Sequence, residues 1–298
     1  MYNYELYHLK ISSNIAIAGL NPTDLAPESY DIKIVANMIE NNLLLEDENK
    51  LQVDKNNFYL SIKNVAIYQI KDDSTINIKY HSSASSEEIS LYLLGSCLGI
   101  ILFKKGFFPL HASSIYLPNK GTIFFAGASG AGKSTILNAF LKKGYQMVSD
   151  DISAFKINNE VSVLPSFPRT KIWQDSANKL NINTLTLPRI HRDVDKYSYT
   201  VENSQFYNRV SKPYILYEIN KYSGEKVYLD EIKSFSKIEL IHRNTYRVEY
   251  IESLKISKEH FKQINSLAKQ IKVKKIYRPI EKNSIDEIVD LIENDLSV

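Results

Sequence analysis

Hydrophobic and polar positions alternate in short runs over the first 80 residues. Tyr4 to Ile17, Ile32 to Val35, Phe58 to Ile62, Val65 to Ile70 and Ile76 to Tyr80 each predict a β-segment, and turn formers such as Asp72-Asp73-Ser74 separate them. The pattern then changes. Ser85-x-x-Glu88 is a capping box at the head of the most apolar run, Ile89 to Phe103, which Lys104 and Lys105 close. That run is shorter than the ~20 residues of a membrane-spanning helix, so a buried helix over about 86–103 is expected.

Ala112 to Leu117 and Thr122 to Ala126 predict two buried strands joined by a turn at Pro118-Asn119-Lys120-Gly121. Lys133 to Lys143 predicts a helix with Ile136, Leu137 and Phe140 on one face. Gln146 to Val148 reads as a short strand running into Ser149-Asp150-Asp151, and Ala154 to Leu164 as a hairpin turning at Asn158-Asn159. Pro213 to Ile219 is a further apolar strand. Two amphipathic helices close the pattern, with the Lys272 to Tyr277 alternation between them. The first carries Phe261, Ile264 and Leu267; the second opens at Ser284-x-x-Glu287 and carries Ile288, Leu291 and Ile292. Strands alternating with helices predict the α/β class. The expected division is a small β-rich accessory domain over 1–85 and a larger α/β domain over 86–298.

Composition narrows the function classes. With 44% apolar and 24% charged residues, the chain has the make-up of a soluble globular protein. A formal charge of +3 over 298 residues gives no reason to expect nucleic acid or a membrane as partner. Cys97 is the sole cysteine, which excludes a disulfide framework and a cysteine-rich metal site. The opening MYNYELYHLK lacks the charged-then-apolar layout of a signal peptide, so a cytoplasmic location is expected. Nothing in residues 1–80 assembles a nucleophile, a base and metal ligands.

The chemistry is concentrated in "FFAGASGAGKST", residues 124–135. Gly127-Ala128-Ser129-Gly130-Ala131-Gly132-Lys133-Ser134 satisfies G-x(4)-G-K-[ST], after a predicted strand and, with Thr135, at a predicted helix start. Glycines let the backbone wrap an anion so that N–H groups and the helix N-terminus face it. Lys133 is then expected on the β- and γ-phosphates of a nucleoside triphosphate, and the Ser134 hydroxyl on Mg²⁺. Asp150 and Asp151 end the next short strand, where phosphate-loop proteins carry a metal-holding carboxylate. Two carboxylates permit a division of labour, one on the metal and one accepting a proton from an attacking hydroxyl. Which does which stays open. His111 starts the strand before the loop strand, and adjacent buried strands bring it towards the phosphate end.

Taken together, His111, the loop and "GYQMVSDDI" (144–152) resemble the catalytic core of the bacterial HPr kinase/phosphorylase family. "PRTKIWQDSANKL" (168–180), Asp195-Lys196, "PYILYEI" (213–219) and "KKIYRPI" (274–280) are similar to the branch of precursor-peptide serine kinases found in lasso-peptide clusters. The resemblance covers roughly residues 105–295. It implies an ATP- and Mg²⁺-dependent serine kinase with a fold akin to phosphoenolpyruvate carboxykinase. It also implies Asp150 and Asp151 as metal and base carboxylates, His111 near the acceptor or the γ-phosphate and orienting a carboxylate, and a homo-oligomer. Within the resembling stretches, Arg169, Lys171 and Lys196 are the candidate charge stabilisers. The "E-x-R-G-x-G" signature of that family has no counterpart in this chain.

The expected activity is transfer of the ATP γ-phosphoryl group to a serine hydroxyl of a peptide or protein, a ribosomal precursor peptide by the resemblance. HPr(Ser) kinase, a small-molecule alcohol kinase and a nucleotide-switch ATPase that transfers nothing are the alternatives. The switch is disfavoured by the absence of an Asn-Lys-x-Asp segment and of a Leu-Ser-Gly-Gly signature.

Overall fold

The computed structural model describes residues 1–24, 28–39, 50–54, 57–233 and 235–297. The protein is mixed α/β. Its first sheet has seven strands: β1 (Tyr2–Leu6), β2 (Leu9–Ser13), β3 (Ile32–Ile39), β4 (Lys50–Asp54), β5 (Asn57–Ile62), β6 (Ala66–Lys71) and β7 (Thr75–His81). They lie in the order β1-β2-β3-β7-β6-β5-β4. The single segment expected over Tyr4 to Ile17 is instead a hairpin. It turns at Tyr7 and His8, both left-handed with φ of 54° and 58°. Neither residue is a customary turn former, so the reversal carries no sequence signal.

The apolar run forms a helix over Ser86–Lys104, and its capping box is present in full: Glu88 N–H donates to Ser85 Oγ (3.2 Å), and Ser85 N–H to the Glu88 carboxylate (3.0 Å). By length and composition this helix could cross a membrane, yet 78% of its most apolar stretch is buried inside the protein. Ile89, Leu93, Leu98 and Ile101 share one apolar cluster with Tyr4, Ile11, Tyr68 and Ile78 of the first sheet, and with Ile152 and Tyr246 from far along the chain. A π-helical turn, Leu93–Cys97, interrupts it.

Strands β8 (Phe108–Leu110), β9 (Ala112–Leu117), β10 (Gly121–Ala126), β11 (Gln146–Ser149), β12 (Ser153–Ile157), β13 (Val161–Leu164), β14 (Arg169–Trp173), β15 (Arg189–His191), β16 (Val194–Thr200), β17 (Pro213–Tyr222), β18 (Tyr228–Glu231) and β19 (Lys272–Pro279) follow. The central sheet runs β11-β9-β10-β17-β19-β18. Pairing is antiparallel for β11·β9, β9·β10 and β18·β19, and parallel for β10·β17 and β17·β19. Four strands, β11, β10, β17 and β19, therefore point the same way, and their carboxyl ends share one edge.

Alternate residues of the central strands feed two cores, as the period of two requires. Ile123, Phe125, Ile215 and Tyr217 pack against the helices Lys133–Lys142 and Ile285–Ser297. Phe124, Ala126, Leu216 and Val273 face Leu240, Ile241, Ile264 and Leu267 of the helices Phe235–Arg243 and Ser257–Gln270. Two expected positions differ. Phe261 is 59% exposed, because the buried stripe of its helix is His260, Gln263, Ile264 and Leu267. Leu291 is only half-buried; Val289 and Leu296 complete the buried face of the last helix. At that helix's start, the Ser284 hydroxyl has no partner among the described residues, and Glu287 pairs with Lys282, so Ser284 and Glu287 do not cap the helix reciprocally.

Candidate functional site

The carboxyl edge of an open α/β sheet is where such folds gather ligands, and here it collects the sequence-predicted residues. The loop Gly127–Gly132 leaves β10 and enters the helix Lys133–Lys142. Gly127 has φ of 136°, and a Cβ on it would lie 2.6 Å from the Ile219 carbonyl oxygen. Both the conformation and the space demand glycine. Gly130 and Gly132 are also left-handed, with φ of 74° and 111°. Ala128, Ser129 and Gly130 form an exposed crest. No side chain caps the following helix, whose N-cap is Gly132, which leaves its first N–H groups for an anion. Lys133 Nζ donates to the Gly127 and Ala128 carbonyls at 2.8 and 3.3 Å. It is thus folded over the loop that a phosphate would occupy. Thr135 lies aside, hydrogen-bonded to Ser176 at 2.8 Å.

The two adjacent aspartates divide. Asp150 is 7% exposed and accepts five hydrogen bonds. Oδ1 takes them from Ser113 Oγ (2.7 Å), Ser134 Oγ (3.0 Å) and Asp151 N–H (3.0 Å). Oδ2 takes them from Thr170 Oγ1 (2.8 Å) and Lys171 N–H (3.0 Å). Asp151 is left-handed, φ 72°, and 29% of its side chain is exposed. Its Oδ2 pairs with Lys171 Nζ at 2.8 Å, and its Oδ1 lies 3.5 Å from His111 Nδ1. Burial pushes the Asp151 carboxyl up, but Lys171 first and His111 next overcome it and hold the group well below the ordinary carboxylate range. His111 Nδ1 is 3.0 Å from the Asp151 carbonyl. A carbonyl only accepts, so that nitrogen carries the proton. Burial lowers the His111 pKa despite the opposing charge of Asp151.

The remaining candidates separate. Lys171 lines the cleft with Asp151 and His111. Lys196 sits over the Trp173 ring, 5.4 Å from its centroid, with its pKa lowered by burial and then by Lys171. Arg169 is 4% exposed and outside the cleft lining; it donates to the Ala18 carbonyl at 3.1 Å and to Ser198 Oγ at 3.2 Å.

Several site residues were not singled out from sequence. Asn244 Oδ1 accepts from Gly127 N–H at 3.0 Å, while its amide donates to Glu218 at 2.6 Å. Glu218, on β17, is 3% exposed and is also held by the Arg243 guanidinium, Nε at 2.8 Å. Arg278, at the end of β19, donates to the Ala131 carbonyl at 3.0 Å. The loop is therefore buttressed from two neighbouring parallel strands. Glu218 and Arg278 lie in the resembling stretches; Asn244 has no local signal at all. The cleft above these residues measures about 670 Å³.

The hard oxygen donors Ser134 and Asp150, meeting at the head of the loop helix, fit Mg²⁺, which keeps few protein ligands and takes the rest from water and phosphate. Among the described residues, no group of three or more His, Cys, Asp or Glu side chains is placed to hold a metal alone.

No family model matches the chain, and no curated protein matches it. Among solved structures it is similar to the HPr(Ser) kinase/phosphatase from Coxiella burnetii, at 15% identity over 63% of this chain and 95% of that one, with a TM-score of 0.29. A likeness of that extent assigns no activity.

Proposed function

We propose that this chain is an ATP- and Mg²⁺-dependent kinase that transfers the γ-phosphoryl group to a serine hydroxyl of a peptide or protein. A ribosomal precursor peptide is the specific acceptor proposed. The observation that carries the proposal is the division between neighbouring carboxylates. Asp150 is bound to Ser134 beneath the phosphate loop, while Asp151 lines the cleft beside Lys171 and His111. A hydrolase or switch that activates only water has less need of a second, separately held carboxylate.

In this scheme Lys133 and the loop N–H groups hold the phosphates. Ser134 and Asp150 would hold Mg²⁺, whose charge offsets that of the phosphate oxygens. Asp151, kept ionised by Lys171, accepts the serine proton as the serine oxygen bonds to the γ-phosphorus. The bond from that phosphorus to the β,γ-bridging oxygen breaks, and its electron pair leaves with ADP. Lys171 lies beside the oxygen that receives the proton and supplies positive charge where the phosphoryl group passes. His111 fixes the left-handed turn through its bond to the Asp151 carbonyl.

The test is incubation of the whole protein with γ-labelled ATP, Mg²⁺ and serine-bearing peptides. Label on peptide serine supports the proposal. Label appearing only as free phosphate, whatever acceptor is offered, favours the switch ATPase and overturns it.

A further inference from the structure

The cleft has the loop Gly127–Gly132 at one end and the helix Ser86–Lys104 at the other. The segment Asn244–Tyr246 connects them. Asn244 holds Gly127 of the loop, its carbonyl accepts from His111 N–H at 2.7 Å, and Tyr246 N–H donates to Pro109 O at 3.0 Å. The Tyr246 ring lies 5.7 Å from the His111 ring and seats on the helix Ser86–Lys104. Gly99 makes that seat: a Cβ there would fall 2.7 Å from Tyr246 Cε1, and one on Gly95 would fall 3.2 Å from the hydroxyl. Order along the cleft is thus phosphate loop, His111 with Asp151, Tyr246, then the helix.

The wall at the helix end carries an apolar patch. Leu91, Tyr92 and Val248 line it half-buried, with Gly95 and Ser96 between them. The last two belong to the π-helical turn Leu93–Cys97, a distortion found often at functional sites. The charged residues of this end, Arg247 and Glu249, are 3.6 Å apart and offset one another. Beside that pair this end carries the Ser96, Tyr92 and Tyr246 hydroxyls, and its carbon surface comes from Leu91, Val248 and the Tyr92 ring.

We infer that this end of the cleft is the acceptor subsite, and that it takes a serine in a polypeptide with an apolar side chain next to it. The inference rests on the kinase proposal above. The apolar neighbour lies against Leu91, Tyr92 and Val248, and this contact brings the serine hydroxyl to Asp151.

The experiment uses the whole protein, γ-labelled ATP and Mg²⁺ with three probes: a short blocked peptide with serine between two leucines, the same peptide with two aspartates, and glycerol. The leucine peptide is expected to be labelled with a kcat/KM about tenfold or more above the others, the scale of one good apolar contact. Val248→Asp and Leu91→Asp are expected to raise the KM for that peptide about tenfold while the KM for ATP stays constant. Equal labelling of the two peptides, or a normal peptide KM in both variants, overturns the inference and leaves the kinase proposal standing. Preference for glycerol overturns the inference together with the serine acceptor of that proposal. Label on none of the acceptors, with ATP still bound, overturns the kinase proposal and the inference with it. The peptide comparison is made on the unaltered protein, so it does not depend on either variant folding.

Discussion

The Tyr7 hydroxyl donates to the Ile152 carbonyl at 3.0 Å, joining the tip of the first hairpin to the residue after Asp151. Tyr7 N–H also donates to Pro165 O at 3.1 Å, and Arg169 reaches the Ala18 carbonyl from the far side of the same segment. The first sheet thereby braces the turn that carries both carboxylates. Tyr7→Phe keeps the ring but leaves the Ile152 carbonyl unpaired, a loss of about 1–2 kcal/mol. A lower thermal midpoint is expected, with kcat reduced more than the KM for ATP. Steady-state kinetics beside a thermal melt check this, and an unchanged kcat argues against the brace.

Lys171→Met removes the main group opposing the burial of Asp151. With its folded pKa no longer depressed by that cation, the Asp151 carboxyl rises. Asp151 must be ionised to accept a proton, so the acid limb of kcat/KM is expected to move to higher pH. A pH–rate profile of the variant reads this directly. In the unaltered protein the same depressed pKa gives stability that is complete above the ordinary value of 3.8 and is lost as pH falls through the lower folded value.

Asn244→Ala takes a hydrogen bond from Gly127 N–H and another from the buried Glu218. Nucleotide affinity is expected to fall about tenfold, equal to about 1.4 kcal/mol, because the loop loses its tether. Titration calorimetry with ATP measures it; wild-type affinity contradicts the buttress.

Legibility followed locality. The loop, the helix after it, the first capping box and β9 to β13 were readable because each rests on neighbouring residues: glycines at fixed offsets, alternating Ile and Phe, Ser85 with Glu88. Tyr7-His8 was not, since a left-handed Tyr-His pair is stabilised by distant carbonyls at 152 and 165 rather than by turn residues. Asn244 and Glu218 were hidden for the same reason, because their partners lie 117 and 26 residues from Asn244 in sequence. Arg169, Lys171 and Lys196 were equivalent as letters. Strand pairing separates them: Arg169 lies opposite Thr200 and goes to Ser198, Lys196 lies opposite Trp173, and Lys171 alone of the three reaches the cleft.

His260 gives an independent check on the core. Its ring stacks on Phe108 at 5.3 Å, and its Nδ1 has no partner among the described residues. Burial, and then the neighbouring His242, bring its pKa down from 6.5 to about 4. Unfolded chains take up this proton at higher pH than the folded protein. Stability is therefore full above pH 6.5 and falls as pH drops towards 4, by about 3 kcal/mol at the limit. His260→Phe is expected to flatten that decline in denaturant titrations at pH 5 and pH 7. An identical decline in the variant rejects this assignment.

The most direct measurement compares Asp151→Asn with the unaltered protein for ATP binding and for label transfer to a serine peptide. Binding within about twofold and transfer slower by about 10³-fold or more is the expected result, since a proton acceptor is lost while the phosphate loop is intact. Transfer at an undiminished rate would contradict the role of Asp151 and the kinase scheme built on it.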